Sequence, residues 1–427
     1  MMSYLTGLRC IRCGTLYPVE RRFEGCDRCA FPRQSNVTPV YDYAAIQGAV
    51  SRRLVESRPP TMWRYCEFFG PDEENIVTLG EGFTPLLHAR DLGKRLGIPK
   101  LYLKNDTVNP TWSFKDRLAS SSISMAKQME APLIAVTSSG NAGSAAAAFA
   151  AKAGIPAVIF TTSKFPLSMR TQMQAYGARL ISMPTPPDRW TMVGRLVREY
   201  GAWPTANYAD PPVGSNPYGV DGYKSIGFEI CEQLGWRAPD KMVVPVGHGD
   251  AFYGAWKAFN EFRDVGLVEN LPQMVAAEVF GPLANALTKG LDYVEEMPGG
   301  PTVAISVGTT QSVYQALRPL LDSNGLAGTA SNEEMLEMQI ALASEEGILA
   351  ETSSVLTLAY ARKLREVGKI DEDETVVCLL TSSGLKDPET LRQSLPEIPA
   401  IEPDMDQLVR ALRETYNFTL PRKAAAA

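Results

Sequence analysis

The chain reads as an α/β protein built on parallel sheets covered by helices on both faces, with a small zinc-ribbon-like module in front. Three observations predict this. From Leu101 onward short apolar runs alternate with stretches of helical periodicity. Those runs are continuous, as in strands buried on both faces. Residues 1–35 carry two Cys-x-x-Cys pairs where a hydrophobic pattern would otherwise be.

A length of 427 residues with 45% hydrophobic, 9% aromatic and 21% charged residues is enough for two or three domains with sizeable cores. The 42 basic and 48 acidic residues are interspersed and sum to a net charge of -6. That balance gives no basic face for nucleic acid or an anionic membrane, so a small molecule is the expected partner. The start, MMSYLTGLRC, has no basic region leading into an apolar core and marks no secretory signal. The most apolar stretch, Ala142 to Phe160, is broken by Lys152 and Pro156 and reads as a buried helix plus strand, not a membrane span. Seven cysteines, four of them in close pairs, fit metal binding in a reducing cytoplasm better than a disulfide framework.

The elements follow in order. Cys10-Ile-Arg-Cys13 and Cys26-Asp-Arg-Cys29 form two knuckles that bring four thiolates around one tetrahedral zinc. With no ligand position left for water, the role is structural; the alternative is four free thiols. Residues 36–75 carry linkers around a helical stretch from Tyr43 to Glu56. Strands are predicted at 101–106, 133–137, 157–161, 179–183, 242–246, 274–280 and 375–380, with helices at 114–129 and 142–152. Ligands of such sheets sit at the carboxyl ends of strands. The run Ala424–Ala427 is of low complexity and is expected to be disordered.

Four loops then carry chemistry. Asn109-Pro-Thr-Trp-Ser-Phe-Lys-Asp-Arg117 opens a helix, and Ser113 and Asp116 have capping-box spacing, which sets Lys115 in the first turn. There the helix dipole disfavours a second positive charge and lowers the lysine pKa toward proton-transfer chemistry. Alone, the pattern fits a merely solvated lysine better, since most lysines at helix starts are solvated. Thr137-Ser-Ser-Gly-Asn-Ala-Gly143 precedes an Ala-rich helix, so its amides suit a carboxylate. Val246-Gly-His-Gly-Asp-Ala251 has the small residues that let a phosphate approach backbone amides, or else is a tight strand-helix connection. Thr381-Ser-Ser-Gly-Leu-Lys-Asp387 follows a buried strand.

In this order the loops resemble those of the pyridoxal-phosphate (PLP) enzymes of the tryptophan-synthase-β class, most closely the threonine synthases. The resemblance runs from about Leu79 to Pro388 through GEGFTPLL (80–87), NPTWSFKDR (109–117), TSSGNAG (137–143), NPYGVDGYKS (216–225), VPVGHGD (244–250), ETSSVLTLAYARKL (351–364) and LTSSGLKDP (380–388). The cysteine knuckles also look like those of one branch of threonine-synthase-like proteins. The resemblance implies PLP fold type II: two parallel-sheet α/β domains with the cofactor between them. Residues 36–120 and 215–420 would form the large domain, 121–214 the small one carrying the substrate-carboxylate loop, and 1–35 the zinc-ribbon-like module.

Carried over, the resemblance makes Lys115 the Schiff-base lysine and Asn141 the partner of the cofactor's phenolic oxygen. Gly247, His248, Gly249, Asp250 and Ala251 would hold the phosphate, and Thr381 would meet the pyridine nitrogen. Ser138, Ser139 and Gly140 would receive the substrate carboxylate. The implied reaction converts O-phospho-L-homoserine and water to L-threonine and phosphate by γ-elimination and β-replacement. It needs a cationic phosphate site, for which Arg117 and Lys224 are the candidates, each with a salt bridge on a solvated surface as its alternative. Ala142, Gly219 and Trp112 depart from the common pattern of Thr, Arg and Gly. They favour an alternative with the same cofactor: a β-eliminating dehydratase or β-replacement synthase on another small hydroxy or phospho amino acid. A Ser-His-Asp hydrolase is disfavoured, because His88 and His248 are the only histidines and neither accompanies a Gly-x-Ser-x-Gly elbow. A non-catalytic zinc-ribbon binding protein with a relic domain is the third alternative. A homodimer is the candidate assembly.

Overall fold

The computed structural model describes residues 3–163, 165–392 and 394–421, so the Ala424–Ala427 run lies outside the described residues. Residues up to Lys386 form one compact unit. Those from Asp387 onward form a second, with the amphipathic helix Met405–Tyr416.

Three sheets organise the first unit. The largest has six strands in the order Leu326–Thr329, Gln273–Glu278, Lys241–Pro245, Val376–Leu380, Leu101–Asn105, Leu86–His88. Neighbours are parallel except at the last edge, where Leu86–His88 runs antiparallel to Leu101–Asn105. The sequence predicted wholly parallel sheets. At that edge only the short helix Arg90–Leu96 intervenes, closed by the left-handed Gly97 (φ 69°), so the chain turns back beside itself instead of crossing over.

The central strands Lys241–Pro245 and Val376–Leu380 are buried along their whole length. Their side chains alternate between two cores. Met242, Val244, Val377 and Leu379 pack with Phe228, Phe252 and Phe259. Val243, Val376, Cys378 and Leu380 pack with Val355, Leu358 and Ala359. Because both faces are apolar, the sequence there reads as a continuous hydrophobic run.

The second sheet is parallel, in the order Arg179–Ser182, Ala157–Thr161, Ile134–Thr137, Trp203–Pro204. The third is a small antiparallel sheet of Leu16–Tyr17, Leu5–Cys10 and Val37–Tyr41 around the cysteine knuckles. Leu5–Cys10, Leu16–Tyr17 and the edge strand Leu326–Thr329 escape sequence reading because they are short or only partly buried, and Val37–Tyr41 because Thr38 and Pro39 interrupt its apolar run. The helical stretch near Tyr43 is two helices, Tyr43–Ala49 and Arg52–Glu56, capped separately by Asp42 and Ser51. Among the described residues no helix is long and apolar enough to cross a membrane.

Candidate active site

The carboxyl ends of Leu101–Asn105, Ile134–Thr137, Lys241–Pro245 and Val376–Leu380 each run into one of the four loops. Lys115 is the first residue of the helix Lys115–Gln128, yet the expected capping box is absent. The Asp116 carboxylate turns back to accept from Thr111 N (2.7 Å) and Oγ1 (2.5 Å). Ser113 Oγ accepts instead from the amide of Lys115 itself at 3.3 Å. Phe114 N donates to the Thr381 carbonyl at 2.7 Å, and Ser113 bridges Ser382, so the Lys115 turn is stitched to the Thr381 loop.

The half-buried Lys115 extends its Nζ over the rings of Phe114 (4.7 Å) and Tyr223 (5.5 Å). Among the described residues that Nζ makes no hydrogen bond or ion pair. Burial holds its pKa below the ordinary lysine value, with the Asp250 carboxylate pulling the other way. The direction agrees with the sequence argument, but the leading cause is burial and not the helix dipole. Tyr223 Oη is likewise buried without a partner.

At the Gly247–Gly249 turn, Gly249 has φ 74°, and a Cβ there would lie 2.3 Å from Ala316, so only glycine is accommodated. The helix Asp250–Asp264 starts immediately after it, leaving the first amides, those of Asp250 and Ala251 included, free of helical partners. Ser312 Oγ donates to the Gly247 carbonyl (2.7 Å). Asp250 is held by Ser215 N (3.1 Å), Ser215 Oγ (2.6 Å) and Gln315 Nε2. Burial first, and the Lys115 charge in addition, lower the pKa of His248.

Asn141 begins the helix Asn141–Ala153; its Nδ2 donates to Glu351 (2.8 Å) and its Oδ1 accepts from Ser382 Oγ (3.3 Å). Burial raises the pKa of Glu351. Ser138, Ser139 and Gly140 are half-buried; Ser138 Oγ accepts from Gly140 N at 3.1 Å, and Ser139 Oγ lies 2.8 Å from Thr161 Oγ1. Thr381 Oγ1 is buried 2.8 Å from Ser354 Oγ.

Two sequence assignments need correction. Arg117 is fully buried and pairs with both Asp106 (2.7 Å) and Glu229. Lys224 is fully buried between Asp221 (3.0 Å) and Glu261 (3.1 Å) and also donates to the Phe68 carbonyl. Neither lies on a solvated surface, and neither head group is free for a substrate phosphate. Gly219 packs so closely on Leu118 and Ser122, 3.0 and 3.1 Å from a built Cβ, that a long side chain has no room. Trp112 is held at φ 64° with its ring half exposed, and its carbonyl accepts from Ser383 N and Ser382 Oγ, both at 3.0 Å. Sequence reasoning gave no role to Glu351, Ser354, Tyr223 or Lys386, though all four lie inside the motif segments.

A family model described as pyridoxal-phosphate dependent enzyme matches residues 77–382. The chain belongs to that family. It is similar to threonine synthases: 35% identity over 95% of this chain and 99% of the Methanocaldococcus jannaschii enzyme, and 33% over 95% and 98% for that of Methanosarcina acetivorans. The enzyme of Halalkalibacterium halodurans is 35% identical over 81% of this chain and 96% of its own. In fold, the chain resembles the processed form of threonine deaminase isoform 2 from Solanum lycopersicum (TM-score 0.62, 20% identity, 73% of this chain and 82% of that one). Maize serine racemase is equally similar (TM-score 0.62, 22% identity, 73% and 91%). By this family membership and these relatives the chain is a PLP-dependent lyase of the threonine-synthase-like kind. The site fits the family's cofactor: an unpartnered amine at Lys115, an orphaned Tyr223 hydroxyl and a glycine turn at a helix start are what an aldehyde-bearing phosphate ester requires.

Proposed function

We infer that the protein makes L-threonine and phosphate from O-phospho-L-homoserine and water. The observation that carries this is identity to threonine synthases along 95% of the chain, which extends beyond the 77–382 cofactor region. Bound at Lys115, PLP supplies an electron sink for the substrate's α-carbon. The chain's own groups do the rest. Lys115, its pKa lowered by burial, takes and returns protons at the substrate carbons. Amides of Ser138, Ser139 and Gly140 receive the α-carboxylate. Asn141, oriented by Glu351 and Ser382, would meet the cofactor's phenolic oxygen.

Gly247, His248, Gly249, Asp250 and Ala251 bracket the phosphate, with Asp250 fixing the turn through Ser215 and Gln315. Ser354 Oγ accepts from the amides of Thr381 (3.0 Å) and Ser382 (3.1 Å). With both lone pairs engaged, its own proton goes to Thr381 Oγ1 at 2.8 Å in preference to the Ser382 carbonyl at 3.4 Å, leaving the Thr381 proton free to donate to an uncharged ring nitrogen.

The same reading gives a structural zinc at Cys10, Cys13, Cys26 and Cys29, whose sulfurs all lie within 4.8 Å of one another. It divides the chain at 1–35, 36–120 with 215–420, and 121–214, and takes the enzyme to be a cytoplasmic homodimer. A second reading, elimination or β-replacement on another small amino acid, draws on Ala142, Gly219 and Trp112. Phosphate release and threonine formation from O-phosphohomoserine test the first; ammonia release from serine or threonine without threonine synthesis would favour the second.

A further inference from the structure

We propose that Lys386 is the binding cation for the phosphate of the substrate, taking the place that the ion-paired Arg117 and Lys224 cannot fill. The proposal rests on the phosphorylated substrate of the function inferred above.

Seven basic side chains are buried among the described residues: Arg64, Lys104, Arg117, Lys224, Lys241, Lys257 and Lys386. Six are paired with carboxylates: Arg64 with Glu232, Lys104 and Arg117 with Glu229, Lys224 and Lys257 with Asp221, Lys241 with Glu374. Lys386, 2% exposed, has no ion pair. Its Nζ donates only to the Thr111 carbonyl (2.9 Å) and to Gln172 Oε1 (3.1 Å), both neutral. An ammonium has three donors, so one is unused. A buried cation without a counter-charge is costly, and an arriving anion relieves that cost.

Its surroundings are those of the site. Thr111 lies in the turn that leads to Lys115. Gln172 belongs to the helix Leu167–Ala175, whose Met169 and Met173 pack beside Gly140 and Gly143 of the carboxylate loop. Ser168 Oγ of that helix donates to the Lys386 carbonyl (2.9 Å), and Lys386 itself closes the loop that starts at Thr381. The titratable groups facing it are Glu351 and Asp116, and burial raises the pKa of both. Lys386 is lowered to about 8 by burial, so at neutral pH it still carries its charge. A phosphomonoester is the class of ligand that matches one free charged donor beside a carboxylate loop.

The test uses PLP-loaded enzyme with inorganic phosphate and sulfate as probes. Both should compete with O-phosphohomoserine. Lys386→Gln should raise both inhibition constants and the KM for O-phosphohomoserine about ten- to a hundredfold, the range for one charge-assisted hydrogen bond. Lys386→Arg should recover part of the loss, and the spectral titration with threonine, which has no phosphate, should be unchanged in both variants. Unchanged anion inhibition in a folded, PLP-loaded Lys386→Gln overturns the proposal, as does an equal loss of threonine binding, which would make Lys386 a positioning residue. If that variant does not fold, wild-type sulfate inhibition decides. It should be constant up to about pH 8 and weaken about tenfold per unit above it; constancy to about pH 9.5 overturns the proposal. Sulfate binding that depends on Lys386 in an enzyme unable to make threonine would uphold the anion site and overturn only the substrate.

Discussion

Two sets of polar groups meet the segment 106–117, and they differ in how they are completed. Around Arg117 the set closes on itself. The guanidinium meets Asp106 and Glu229, and Lys104 meets the other oxygen of Glu229 at 2.7 Å. Around Lys115 the set is open: among the described residues the Lys115 amine meets only the Phe114 and Tyr223 rings, the Tyr223 hydroxyl has no hydrogen-bond partner, and Lys386 has only neutral acceptors. A network whose every charge is answered by the protein has no capacity left for a ligand. One with unanswered donors is completed by what binds there.

The largest effect expected from this contrast is at Lys115. Lys115→Ala should abolish borohydride-trapped cofactor linkage and lower turnover by at least about a thousandfold, because it removes both the anchor and the proton carrier. Mass spectrometry of the reduced protein reads the linkage directly, and a normal adduct in the mutant would remove the basis for the site.

The next comparison sets the closed network against the open one by stability. Arg117→Met leaves Asp106 and Glu229 buried short of a partner and should cost about 3–5 kcal/mol, read from urea unfolding. Lys386→Met removes a buried, unpaired cation and should cost little in cofactor-free protein. The sign can be checked against pH. Lys386 is lowered when folded, so between about 8 and the ordinary lysine value of 10.5 the unfolded chain binds the extra proton. Its destabilising contribution is therefore present below about pH 8 and fades as pH rises through that window. The stability of Lys386→Met relative to the unsubstituted protein should fall accordingly across that window. Equal losses in the two variants would erase the distinction between the networks.

Much of this was legible in the sequence, for identifiable reasons. The buried central strands announced themselves because both faces are apolar, and Lys115 because its loop precedes a helix of clear periodicity. The charges were not legible. Lys115, Arg117, Lys224 and Lys386 look alike in a sequence; their difference is set by Asp106, Asp221, Glu229 and Glu261, of which Glu229 reaches Arg117 and Glu261 reaches Lys224 from distant segments. Asp116 misled for a related reason: its capping-box spacing was right, but Thr111 offered its carboxylate a nearer partner.

A smaller effect is expected at the cysteine knuckles, far in sequence from Lys115. Freshly purified, unchelated protein should contain one zinc per chain, and Cys13→Ser should lose it. Arg12 and Arg33 both reach Asp292 from this module. Metal loss should therefore speed proteolysis within residues 1–35 while reducible cofactor linkage at Lys115 persists. Elemental analysis and limited digestion check both; protein without stoichiometric zinc would rule the metal site out.

The smallest effect tests whether the open set reaches as far as Thr381. The amides of Thr381 and Ser382 occupy the acceptor sites of Ser354 Oγ, so its proton goes to Thr381 Oγ1, which is nearer than the Ser382 carbonyl, and the Thr381 proton is available outward. A hydroxyl donor at the pyridine nitrogen keeps that nitrogen uncharged and favours side-chain elimination over transamination. Thr381→Asp puts an anion in the same place and favours the protonated ring. In folded, PLP-loaded mutant, side-chain chemistry should slow and the fraction of transaminated product should rise. If Thr381 merely satisfies Ser354, the same substitution should lower stability and leave the product ratio as it was. The ratio of transaminated product to threonine, measured at equal cofactor occupancy, separates the two. Ser354→Ala sharpens the result, because it removes the proton that orients Thr381 without adding charge and should shift the ratio less than Thr381→Asp does.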